Sequence, residues 1–87
     1  MSAEIFEVTV DDLTTPDSRA PFEIAYFPRI DGFALAKATV VRYPDVVMWL
    51  PVRSAHRLGL AVRFTVDGRT YEEMAGHAIV VRSAVAS

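Results

Sequence analysis

Four β-type runs lie between residues 22 and 66, punctuated by turn residues, and a capped helix signal follows them. Phe22–Phe27 meets residues 33–43 across Ile30-Asp31-Gly32. Tyr43-Pro44-Asp45 leads into residues 46–50, and residues 60–66 stop at Asp67-Gly68. Asp-Gly between alternating apolar runs is the strongest short hairpin signal, because a type I′ turn needs two residues that tolerate positive φ. Pro-Asp suits the central positions of a type I turn. In residues 60–66, Leu60, Val62, Phe64 and Val66 form one apolar side, and Ala61, Arg63 and Thr65 the other. That alternation describes a half-buried antiparallel strand.

Residues 4–10 alternate in the same way, with Phe6, Val8 and Val10 on one side, and read as an edge strand. Residues 11–21 are turn and breaker chemistry, hence a mobile loop. The run 33–43 presents Phe33, Leu35, Lys37, Thr39, Val41 and Tyr43 on one face and Ala34, Ala36, Ala38, Val40 and Arg42 on the other. Three alanines make a shallow patch where a helix can approach closely. Thr70-Tyr71-Glu72-Glu73 fits a capping box, in which the Thr70 hydroxyl and the Glu73 carboxylate satisfy free amides of a first helical turn. Met74, Ala78, Val81 and Val85 then recur at helical spacing, although Ile79-Val80-Val81 also suits a strand. The expected fold is α+β, one domain over 1–87. A small antiparallel meander of four to five strands carries a single C-terminal helix (70–86), which packs on one face. Ala34, Ala36 and Ala38 would face that helix, and Phe33, Leu35 and Val41 a second layer or subunit.

At 87 residues and 52% apolar, the chain holds more apolar surface than a thin sheet buries alone, so a homodimer is expected. With no cysteine there is no disulfide or thiolate chemistry. No signal-peptide pattern opens the chain and no apolar run is long enough to span a bilayer, so a cytoplasmic location without membrane attachment is expected. The two histidines, His56 and His77, have no ligand-spaced partner in sequence, the four glycines are scattered, and Glu72-Glu73 is explained by capping. Neither an enzyme, nor a metal, nor a cofactor is indicated.

Net charge is −2, but residues 32–87 carry seven bases against four acids, and eight of the nine bases in the chain are arginine. Arginine offers a planar donor fork that suits phosphates and interface carboxylates alike. Residues 49–59 hold Trp49, Arg53, His56 and Arg57 on a segment read as a loop, with Arg42, Arg63 and Arg69 on neighbouring elements. Five arginines and a stacking indole could track a single nucleic-acid strand. The bland alternative is a core or interface Trp49 ringed by solvated arginines.

The order of elements, with Phe33-Ala34-Leu35, then Val47-Met48-Trp49-Leu50-Pro51-Val52-Arg53 and Tyr71-Glu72-Glu73-Met74-Ala75-Gly76-His77-Ala78-Ile79, resembles the SpoVG-like family of septation regulators (stage V sporulation protein G). The matching stretch is about two-thirds of the chain. The resemblance implies a twisted antiparallel sheet with a C-terminal helix, dimerisation through the sheet, and regulatory nucleic-acid binding. Two functional expectations follow. One is a small dimeric regulator that contacts DNA or RNA through Arg53, Arg57 and Arg63, helped by Arg42, Arg69 and Trp49. The other is a protein-interaction or assembly module that uses an apolar sheet face or an unpaired edge, with Phe6, Val8, Val10 and Trp49 as interface residues and no nucleic-acid binding. A third, a ligand site in a cleft between subunits, has only the apolar surplus behind it.

Overall fold

The turn at Asp67-Gly68 decides everything after it. In the computed structural model, which describes residues 4–84, Asp67 and Gly68 both take left-handed backbone angles (φ 51° and 78°). This mirror-image turn matches the twist of paired strands and sends the chain straight back along itself. Arg69 therefore pairs with Val66, Tyr71 with Phe64 and Met74 with Ala61. Thr70 and Glu73 sit opposite Thr65 and Val62 in the ladder and cap no helix.

The described chain contains seven strands: β1 (Ile5–Thr9), β2 (Phe22–Phe27), β3 (Gly32–Phe33), β4 (Met48–Leu58), β5 (Ala61–Val66), β6 (Arg69–Met74) and β7 (Ala78–Ser83). One six-residue helix, α1 (Lys37–Arg42), is the only α-helix among them. All pairings are antiparallel, in the order β1-β7-β2-β4-β5-β6, with the short β3 on β2. The expected α+β fold with a helix over 70–86 is thus corrected to a mostly antiparallel sheet, with β6 and β7 in that stretch. Residues 85–86 lie outside the described residues. Ile79, Val80 and Val81 explain the outcome. All three are fully buried, which a strand covered on both faces allows and a surface helix does not.

β4 is the corner of the molecule. Its first half pairs with β2 (Ile24↔Leu50, Glu23↔Pro51) and its second half with β5 (Ser54↔Thr65 to Leu58↔Ala61). The change of partner coincides with Pro51, which lacks a ladder donor, and with a register shift between Val52 and Ser54. Residues 49–58 are therefore strand, not the expected loop, and Gly59 lies in the turn that follows. The bend rolls the β5–β6 hairpin over β2 and β7 and encloses a core of Val10, Phe22, Ile24, Val62, Phe64, Val66, Ile79 and Val81. The roll closes at one end where the Val10 amide donates to the His77 carbonyl (3.0 Å) and the Asp11 amide to the Ala75 carbonyl (3.2 Å).

On the opposite face Ala25, Ala34, Val40 and Val80 form a second cluster, packed by Ile5, Phe27, Val47 and Trp49. This is where residues 33–43 go. Only Gly32 and Phe33 bridge β2 before the chain leaves the sheet, crosses its outer face and coils into α1. The alanine stripe is broken up: Ala34 is buried against the sheet, Ala36 precedes the helix, and Ala38 is exposed on it. Alanine is the best helix former, which favours the coil once the strand is abandoned. Phe33 packs inside the roll, whereas Leu35 and Val41 are exposed beside α1. The Glu7 carboxylate accepts the Lys37 amide (2.6 Å) and ties α1 to β1.

Residues 11–21 are pinned at several points. Val10–Leu13 form a 3-10 turn in which the Asp12 carboxylate accepts the Thr9 amide at 2.9 Å. Asp17 pairs with Arg19 at 2.6 Å, and the Arg19 guanidinium lies 4.5 Å from the centroid of the Phe6 ring.

Two outcomes test this fold. Ile79→Ala and Val80→Ala should each cost about 2 kcal/mol or more in chemical denaturation, because neighbouring residues of a doubly covered strand both leave cavities. If one of the pair is neutral, β7 is not covered on both faces. The second test uses pH. Hydrogen bonds from the Arg19 side chain, and then from its amide, hold the Asp17 carboxyl at about 2 against an ordinary 3.8. A depressed folded value means that the contact stabilises above the ordinary value and that this contribution disappears as pH falls through about 2. Asp17→Asn should flatten this part of the acid-induced fall in melting temperature. Superimposable acid profiles for the two proteins would rule the contact out as a source of stability.

Candidate functional site

The six residues singled out for nucleic acid are dispersed by the fold, and most of them meet a partner. Arg57 donates through Nε to the Gly59 carbonyl and through Nη1 to Asp11 Oδ1, both at 2.6 Å. It thereby ties the β4–β5 hairpin to the 3-10 turn. Arg63 stands mid-strand between His56 and Glu72 in register, with Nη2 3.8 Å from Glu72 Oε1. Arg69, beside the β5–β6 turn, approaches Asp31 Oδ1 at 3.7 Å, and its bond with the Tyr71 hydroxyl raises its pKa. Arg42 ends α1 with its guanidinium 5.5 Å from the Tyr43 ring centroid. Arg53 is exposed at the β4 bulge.

Trp49 is half-buried on the outer face of the sheet. The Arg82 guanidinium lies 4.5 Å from the centroid of its ring and bonds Glu23 at 2.7 Å through Nε. The indole therefore already carries an internal cation on its face. Glu23, Arg82 and Trp49 come from β2, β7 and β4, so this stack fastens three strands together.

A different constellation converges at one end of the roll. Inside, the rings of Tyr26, Phe33, Phe64 and Tyr71 pack at centroid distances of 4.9 to 5.8 Å. The Tyr26 hydroxyl donates to Asp31, and that bond is the main reason the phenol pKa is raised. The rings brace the turn 28–31, which carries Ile30 outward at 73% exposure. Val46, at 41% exposure, ends the 3-10 turn that precedes β4, and Met48, at 49%, opens β4 itself. A shallow depression of about 300 Å³ runs between Phe27, Arg29, Ile30 and Val46. A second, of about 330 Å³, continues past Pro28 and Met48 to Asp67, Arg69 and Tyr71.

The rim of this apolar end carries both signs of charge: Arg29 and Arg69 with Asp31, Asp45 and Asp67. Apolar side chains lie at the centre of this end and charged ones around them. Among the described residues no three His, Asp or Glu side chains converge to hold a metal ion. Nor does any buried side-chain polar atom among them lack a hydrogen-bond partner. None of the helices described is long and apolar enough to cross a membrane. Sequence reasoning missed this end because Val46, which ends a 3-10 turn, reads as a strand residue. The available signal was Ile30, a large aliphatic in a turn where polar residues and glycine dominate.

No family model matches the chain, and comparison with curated proteins and with solved structures likewise gives no match.

Proposed function

We propose that this domain is a non-catalytic protein-interaction module whose working surface is the apolar turn end. The observation that carries the reading is the exposure of Ile30, Val46 and Met48 around two depressions that share Arg29 and Val46 in their lining. Large aliphatic side chains left in water at turn positions are unfavourable for an isolated chain, and a partner that covers them recovers that burial. The mixed rim suits a polypeptide with its own acids and bases. It suits a uniformly negative backbone poorly, because Asp31, Asp45 and Asp67 would face the phosphates.

One observation keeps the nucleic-acid reading as the second: Arg42 and Arg53 are exposed and join no ion pair among the described residues. Under that reading binding falls steeply with salt and weakens in Arg42→Ala and Arg53→Ala.

A photo-crosslinking residue placed at Val46, with Thr65 on the hairpin face as the control position, separates the two. The interaction reading expects adducts of protein mass from position 46 that survive nuclease. It also expects Ile30→Asp to weaken binding of the partner so found by about tenfold or more. Adducts formed with nucleic acid alone, or equally from both positions, would overturn it.

A further inference from the structure

β6 is an edge. It pairs with β5 on one side, and among the described residues no strand pairs with it on the other. The parity of its ladder shows which backbone groups are left over. The Ala75 amide donates to the Leu60 carbonyl at 2.9 Å, and the two-residue turn makes Val66 and Arg69 the first bonded pair. The odd-numbered residues of β6 therefore bond toward β5. The N–H and C=O groups of Thr70 and Glu72 point away from the sheet, along an open edge.

An edge of this kind can be extended by another strand. We infer that β6 pairs antiparallel with β6 of a second copy of this chain, in a register that places Tyr71 opposite the other copy's Tyr71. Charge selects this register. Bonded pairs across the two-fold must use Thr70 and Glu72, so each shift of register moves the pairing by two residues. With Tyr71 on the two-fold, Thr70 exchanges bonds with Glu72 of the other copy, and Arg69 lies opposite Glu73. The second of these is a non-bonded pair, where side chains approach most closely. Both Arg69–Glu73 contacts then form by symmetry. A shift one way puts Glu72 against the other copy's Glu72, a like-charge pair in the centre. A shift the other way leaves only residues 69–71 mutually paired.

Within one chain the ion pairs of Arg69 and Glu73 are long, to Asp31 at 3.7 Å and to His77 at 3.8 Å, and Arg69, which also bonds the Tyr71 hydroxyl, is largely exposed. Neither has a close carboxylate or ammonium-type partner to give up on pairing with a second copy. The pattern Arg69-Thr70-Tyr71-Glu72-Glu73 is thus self-complementary in one antiparallel alignment, which is what an isologous interface requires. The edge shares Arg69 with the rim of the turn end, but Glu73 and the Glu72 amide lie outside that rim, so Glu73→Arg and Glu72→Pro test the pairing apart from the proposed function.

The test is sedimentation or light scattering of the purified chain, from about 1 to 200 μM, with charge-swapped variants. Wild type should dimerise. Arg69→Glu and Glu73→Arg should each weaken the dimer by about tenfold or more, since two attractive pairs become repulsive. The double variant R69E/E73R should restore it. Glu72→Pro removes an amide that makes no bond to β5, so it should give a folded monomer, verified by a thermal melt. This variant keeps the inference testable if a swapped chain fails to fold. A wild type that stays monomeric throughout, a dimer unaffected by the single swaps, or one that survives Glu72→Pro would each overturn it.

Discussion

β7 has to be covered on two sides at once. Ile79 and Val81 point into the roll and Val80 points away from it, yet all three are sealed from water. No flat sheet of this size can do that. One face is covered because β4 bends at Pro51–Ser54 and carries the β5–β6 hairpin back over the sheet. The other is covered because the chain abandons the sheet after Phe33 and lays α1 and its flanks across the outer surface. The short helix, the long bent strand and the plug at Val10 all answer the same demand.

Local chemistry was legible where it acts over a few residues. The period-two pattern of β1, the inward face Val62-Phe64-Val66 and the Asp67-Gly68 turn can all be read directly from the sequence. The errors arose where a local pattern had two solutions and tertiary contact chose between them. Thr70 and Glu73 satisfy the spacing of a capping box, but a type I′ turn just before them leaves no room for a helix to start. Alternation in 33–43 is compatible with a strand, but the edge of β2 that it would continue along is taken by β7, which pairs with Phe22, Glu23 and Ile24. Pro51 reads as a strand breaker, but at a point of partner exchange its missing donor is harmless. Strand competition of this kind depends on residues far apart in the chain, and no window of sequence contains it.

The candidate site repeats that lesson in electrostatic terms. Counting arginines in 32–87 suggests a basic surface, because sequence shows the cations without their neighbours. Folding brings Asp11 to Arg57, Glu72 to Arg63, Asp31 to Arg69 and Glu23 to Arg82. Three of these acids, Asp11, Glu23 and Asp31, come from residues 1–31, the acidic part of the chain, laid against its basic part. The charge asymmetry along the sequence is largely a record of internal pairing, and what is left at the turn end is apolar.

β7 also has a consequence in the order of synthesis. It lies between β1 and β2 in the sheet, yet it follows both of them, and every other described strand, along the chain. Until it has emerged from the ribosome, β1 has no described strand to pair with and one edge of β2 lacks its neighbour. The hairpins can form as they appear, since their contacts are local, but the enclosed core cannot. Closure of this fold is a single late event, set by the arrival of six residues.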